Sequence, residues 1–246
     1  MGKNTDNEQR EALETFIDQG LIEDVLGVVR SGKEATVYRC VTPDGGWVAA
    51  KVYRTHKVRQ FADDSAYRSG RLRGREHRRE ARAMRGKTAV GRELAFAGWV
   101  SHEYETLEAL HRAGVDVPAP IARGDAAILM EFAGDDGGPA PQLSESYLER
   151  AEAEAIVERL LANVELMLAN DRVHGDLSAF NVLYGDGRIW IIDFPQAVDP
   201  RFNPNALALL QRDIENVARF AAGAGVALDS GRIGHDLWRR FLREEL

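Results

Sequence analysis

The chain has one cysteine, Cys40, among 246 residues. A lone thiol excludes an internal disulfide and a cysteine-rich metal site, and it fits a reducing cytoplasm. No apolar run reaches the roughly 18 residues of a membrane-spanning helix, so no transmembrane segment and no membrane partner are expected. The opening residues "MGKNTDNEQREALETFIDQG" lack the apolar core of a secretory signal, and a cytoplasmic location is the expectation. No internal repeat is visible. The sequence has 44% hydrophobic and 29% charged residues, as an ordinary globular protein does. Its length suits one large domain or two small lobes. The net charge of −7 points to solubility and says little about partners.

That charge is unevenly spread. Arg54 to Arg92 holds 13 Lys/Arg against 4 Asp/Glu, a balance of +9 that leaves −16 for the remainder. One reading is a solvated, flexible insertion; the other is a contact surface for phosphates or nucleic acid. The stretch is short of aromatics, with only Phe61 and Tyr67, so it is no base-stacking platform.

Hydrophobic spacing gives the organisation. "DNEQREALETFIDQG" is helical and ends at Gly20. "DVLGVVRSGKEATVYRCVTPDGGWVAAKVYR" alternates and breaks at "TPDGG", which predicts two or three antiparallel strands with a hairpin over 42–46. A helix is expected over 96–113, then a short buried strand in "AAILMEF". "GDDGGPAP" (134–141) reads as a linker at a lobe boundary. A long helix over 144–170, a strand in "RIWIID" and two helices near 205–222 and 230–244 complete the chain. The expected fold class is α+β, with a strand-rich lobe, a mainly helical lobe and a cleft between them.

Five elements follow one another in a telling order. "RSGKEATVY" sets Gly32 between strands, where backbone N–H groups can approach a phosphate. Lys51 lies inside the apolar strand "WVAAKVY", costly to bury unless paired. Glu103 follows on the next helix. "VHGDLSAFNVLY" carries Asp176 and, five residues on, Asn181; Asp193 ends a later apolar strand. Taken singly, Lys51 reads as an edge-strand lysine, Glu103 as an exposed helix charge, and each acid as a turn or cap. In this order they match phosphoryl transfer. A strand lysine held by a helix glutamate grips nucleotide phosphates, a carboxylate orients the attacking hydroxyl, and an amide and a carboxylate hold Mg²⁺.

The sequence resembles the RIO family of atypical serine/threonine protein kinases over roughly residues 24–222, nearest the Rio-one branch. The resemblance lies in "SGKEATVY", "AAKVY", the long basic insertion, "WVSHEYETLEAL", "AGVDVPAPI", "LMEFAG", "GGPAPQL", "HGDLSAFNVLY", "IDFPQAV" and "LLQRDIENVARF". It implies a two-lobed protein-kinase-like fold with a truncated helical lobe. Residues 1–23 would be a helical extension, 24–133 the first lobe with its basic insertion at about 54–92, and 134–246 the second lobe. It implies ATP with Mg²⁺, or Mn²⁺ in its place. Asp176 would be the catalytic base, Asn181 and Asp193 would bind the metal, and Lys51 would contact ATP phosphates, paired with Glu103. Ser31, Gly32 and Lys33 would lie over the phosphates. Met130 would stand near the gate of the adenine pocket, with Glu131 and Phe132 offering hinge backbone bonds. Asp193 could also take up phosphate, as in an ATPase switch. The implied substrates are Ser residues of the protein itself or of another protein, and the implied setting is ribosome maturation, with pre-ribosomal RNA or the ribosome meeting residues 54–92.

Some positions depart from the family pattern. Ala179 stands where the family often has Glu, and Arg30 and Ser31 replace its usual Ser-Thr. The residues before Val25 are too few for a winged helix, which disfavours the Rio-two branch. Only 53 residues follow Asp193, with no "APE"-like segment among them. Ser178 sits where ordinary protein kinases carry a lysine. Two other readings stay open. One is a small-molecule phosphotransferase of the aminoglycoside or choline type, which also uses an "HGD…N" loop. The other is an ATP-switched binding protein on ribosomal precursors.

Overall fold

The structure, a computed structural model, describes residues 2–54 and 89–246. Residues 55–88 of the basic insertion lie outside them. The described residues divide into two compact units. The first takes the residues up to 54, those described within Leu72–Glu105, and Ala119–Pro139; the second takes Thr106–Pro118 and Ala140–Leu246.

The first unit is built on an antiparallel sheet of β1 (Asp24–Ser31), β2 (Ala35–Val41), β3 (Trp47–Tyr53), β4 (Pro120–Arg123) and β5 (Ala127–Glu131), in the order β1-β2-β3-β5-β4. The two-residue period of β3 divides its side chains between the faces. Val48, Ala50 and Val52 join Cys40, Ala127 and Leu129 in a core covered by Leu13 and Phe16 of α1 (Gly2–Asp18). Helix α1 ends because Gly20 turns left-handed (φ 68°). Gly20 N–H then bonds Ile17 O (2.9 Å) and Leu21 N–H bonds Phe16 O (3.0 Å), a Schellman closure. Ala49, Lys51 and Tyr53 take the other face, toward α2 (Ala89–Arg112). There Tyr53 meets Trp99 edge-to-face with ring centroids 4.8 Å apart.

Sequence reading found β1–β3 and their hairpin but missed β4. This strand begins at Pro120 and lies at the sheet edge, where a missing N–H costs no ladder bond. The expected linker is instead a tight hairpin of β6 (Gly134–Asp135) and β7 (Gly138–Pro139). Asp135 Oδ1 accepts from the N–H groups of Gly137 (2.7 Å) and Gly138 (3.2 Å). Gly134 has φ 152°, and a Cβ on it would come within 2.3 Å of Gly138 O, so the crossing needs glycine.

The second unit packs α3 (Arg150–Ala169), α4 (Ala206–Gly223) and α5 (Ser230–Leu242) with a hairpin of β8 (Val182–Gly185) and β9 (Arg188–Ile191). The helix expected from 144 starts later. Leu143–Glu145 is a separate 3₁₀ turn, and Ser146 and Glu149 are extended, which breaks the helical path before Arg150. The β8–β9 turn is Asp186-Gly187, both with positive φ (50° and 74°), the turn chemistry of a two-residue hairpin. Asp116 ties the unit together. Its carboxylate accepts from Asn163 (2.7 Å) and Arg159 (2.8 Å), and its carbonyl accepts from Ile191 N–H (2.7 Å). Burial pushes that carboxyl up, yet the bonds from Arg159 and Asn163 outweigh it and hold the group below its usual range.

Candidate active site

In the first unit the alternation of β3 and the helical repeat of α2 bring one cation and one anion together. Lys51 shares a face with Tyr53, and Trp99 and Glu103 share a face four residues apart. Tyr53 on Trp99 fixes the register, and Lys51 Nζ then donates to Glu103 Oε1 at 2.6 Å. The side chains are 12% and 5% exposed. This pair replaces both single-residue readings, since Lys51 is no snorkelling edge lysine and Glu103 no surface charge. Glu103 Oε2 is also buried, with no hydrogen-bond partner among the described residues.

Ser31 ends β1, and Gly32 and Lys33 begin the turn to β2; all three are exposed. The turn closes through Gly32 N–H to Ala35 O at 2.9 Å. Met130 and Glu131 end β5, half-buried, and Phe132 is buried against Trp47. Glu131 N–H is committed to Ala119 O (2.8 Å), which takes it out of any bond to a ligand.

In the second unit the loop before β8 is held at many points. Val173 and Val198 exchange N–H···O bonds of 3.0 Å. His174 is buried, 4.7 Å from the Phe194 ring centroid, and its Nε2 donates to Ile192 O at 3.2 Å. That leaves Nδ1 to accept from Asp176 N–H at 3.3 Å. Burial lowers the His174 pKa, so the ring works as a neutral strut. On either side of Asp176, the N–H groups of Gly175 (2.8 Å) and Leu177 (2.9 Å) donate to the two oxygens of Asp213 on α4. Leu177 O accepts from Asn216 (2.8 Å), and Gly175 O accepts from Arg212. The Asp176 side chain remains exposed on this fixed backbone. A reacting carboxylate benefits from such a hold, because it reorganises little during reaction.

The same loop carries Asn181 at the end of a 3₁₀ turn (Ala179–Asn181). Its Nδ2 donates to Asp176 O at 2.9 Å, which leaves the amide oxygen as the ligand end. Asn181 O accepts from Ile192 N–H at 2.9 Å, extending the Val182–Ile191 register, so Asn181 lies beside the backbone leading into Asp193. Asp193 is exposed with φ 72°, a left-handed conformation uncommon outside glycine and enriched at functional turns. No group of three or more His, Cys, Asp or Glu able to hold a metal occurs among the described residues. One amide oxygen and one carboxylate do suit Mg²⁺, which keeps several waters and takes further oxygens from a phosphate substrate.

Sequence reasoning missed Asp213 and Asn216. The signal was there: Leu210, Asp213, Ile214 and Val217 share one helical stripe, and a carboxylate inside an apolar stripe needs donors. Burial pushes the Asp213 carboxyl up to about 7, against the two amide donors and Arg212, which favour its charged form.

Comparison with known proteins shows the family and the fold. The RIO domain family model matches residues 36–231. Serine/threonine-protein kinase RIO1 of Caenorhabditis elegans is 32% identical over 92% of this chain and 43% of its own length. Human RIO1 is 32% identical over 91% of this chain and 38% of its own length. The RIO-type kinase Rio1 of Haloferax volcanii is 33% identical over 89% of this chain and 70% of its own length. The Rio2 kinase–ADP/Mg²⁺–phosphoaspartate complex from Chaetomium thermophilum superposes with a TM-score of 0.62 at 18% identity, covering 97% of this chain and 74% of that one. The fold class is thus the protein-kinase-like α+β fold of these kinases. The chain belongs to the RIO domain family, and it spans less than half the length of its nematode and human relatives.

Proposed function

We propose that this chain is an ATP- and Mg²⁺-dependent RIO-type phosphotransferase that phosphorylates serine in itself or another protein and also hydrolyses ATP. The observation that carries this reading is the buried Lys51–Glu103 pair at 2.6 Å, because a desolvated lysine fixed by a carboxylate is suited to hold nucleotide phosphates. In domain terms, residues 1–23 are a helical extension, 24–133 the first kinase lobe and 134–246 the second.

Each residue has a task. Lys51, with Ser31, Gly32 and Lys33, orients the phosphates. Met130, Glu131 and Phe132 line the adenine side. Asp176, on its fixed backbone, accepts the hydrogen bond of the attacking hydroxyl. Asn181 and Asp193 hold the metal, which when bound neutralises charge on the phosphates. Asp193 is also the carboxylate on which a phosphoaspartate could form. A role in ribosome maturation, with RNA met through residues 54–92, rests on kinship and on the basic composition of that stretch.

The test measures phosphate transfer and ATP hydrolysis for wild type and Asp176→Ala. Loss of transfer by a factor of about 10² or more supports the assignment, and equal rates refute it. Fast turnover of small hydroxylated acceptors without autophosphorylation would move the chain to the aminoglycoside or choline kinase class.

A further inference from the structure

Arg39 on β2 has no task in the phosphotransferase reading. Its register partner is Ala49, two residues before Lys51, and Val37 pairs with Lys51 itself. Arg39 therefore lies on the Lys51 face of the sheet, opposite the Cys40, Ala50 and Val52 side chains that meet α1. Met130 shares that face, because it pairs with Ala49 from β5. The Arg39 guanidinium carbon lies 3.0 Å from the Trp47 ring centroid and 4.8 Å from that of Phe132. Those two rings are themselves neighbours, with centroids 6.3 Å apart. Nη2 donates to Asp135 O at 3.2 Å, and Nε is buried without an acceptor among the described residues.

These contacts converge on the short stretch between β5 and β6. Before it, Glu131 N–H is bonded to Ala119 O; after it, Gly134 pairs with Pro139. Between those anchors Phe132 and Ala133 are buried, yet their N–H groups donate to no described residue. A buried backbone donor without a protein partner is met by water or by a ligand. A planar guanidinium stacked on ring faces and bonded to a carbonyl holds this stretch at two points. We propose that Arg39 is a positioning residue for the nucleotide base: by gripping Phe132 and Asp135 it fixes the direction in which these N–H groups meet a bound adenine. This rests on the phosphotransferase reading. Adenine has an acceptor at N1 where guanine has an N–H, so a fixed backbone donor accepts the first base and opposes the second. A donor free to swing loses that discrimination.

Calorimetric titration of ATP, GTP and adenosine into wild type, Arg39→Ala and Arg39→Met tests it. Methionine keeps an apolar stem of similar length and guards against a variant that merely fails to fold. Loss of the cation–π hold predicts about fivefold weaker binding of both ATP and adenosine to each variant. GTP affinity should change by less than about twofold, so the preference for ATP over GTP narrows by nearly the same factor. A loss shared equally by ATP and GTP overturns the inference, for it marks a merely structural brace. So does a loss for ATP that adenosine does not share, which puts Arg39 on the phosphates, and so do unchanged affinities. A wild type that binds ATP and GTP alike overturns this inference alone. A wild type that binds no nucleotide overturns the phosphotransferase reading and this inference with it.

Discussion

Replacing Asp213 by asparagine should change both the stability of the second unit and its dependence on pH. Asp213 is 2% exposed and accepts one backbone N–H on each oxygen, at 2.8 and 2.9 Å. Asparagine keeps the shape but has only one acceptor oxygen, so one buried N–H is orphaned, at a cost of about 1–3 kcal/mol. The pH effect has the opposite sense. Burial raises the carboxyl from 3.8 to about 7, so between those values the folded chain holds a proton that the unfolded chain has released. The resulting stability is fully present below the lower value and is lost as pH rises through the upper one. Between pH 5 and pH 8 wild type should lose about 3 kcal/mol through this group, whereas Asp213→Asn has no such group to titrate. His174, kept neutral by burial, costs stability as pH falls below its ordinary 6.5, equally in both proteins, so the difference between them isolates Asp213. Urea unfolding of both at pH 5 and pH 8 measures it. A gap that stays constant with pH, or widens toward pH 8, refutes the reasoning, for it would mean an ionised carboxylate across the whole range.

Other outcomes follow from the same packing. Glu103→Ala removes the carboxylate to which Lys51 Nζ donates and should cost about 3–5 kcal/mol, with the double replacement Lys51→Met/Glu103→Leu recovering most of it in thermal unfolding. Asp116→Ala removes the acceptor shared by Asn163 and Arg159. It should cost about 2 kcal/mol near neutral pH and less in acid, since the depressed Asp116 pKa gives stability that is lost as pH falls through its folded value. Gly134→Ala forces a Cβ against Gly138 O and should cost about 1–3 kcal/mol while loosening the hairpin, seen as faster amide exchange at residues 134–139.

The sequence carried the parts of the site that depend on residue type and order. Lys51 inside an apolar strand, Glu103 on the next helix, and the Asp176, Asn181 and Asp193 spacing are all chemical oddities in one dimension. What it could not carry was the support from afar. Asp213 lies 37 residues beyond Asp176, and only packing of α4 shows that it bonds the amides on either side. The 134–141 stretch looked like a linker because Gly, Pro and Asp mark turns of every kind; the close approach of Gly134 to Gly138 made it a hairpin. Strand β4 was hidden for a related reason, since its proline counts against a strand until its place at the sheet edge is known.

The central claim is that these residues hold ATP and a metal for phosphoryl transfer. A crystal structure with a non-hydrolysable ATP analogue and Mg²⁺ tests it most directly. Phosphate oxygens should lie on Lys51 Nζ, a metal should be shared by Asn181 Oδ1 and the Asp193 carboxylate, and Asp176 should face the terminal phosphate with room for a serine hydroxyl. A nucleotide bound away from Lys51, or a metal held without Asn181 and Asp193, would contradict it.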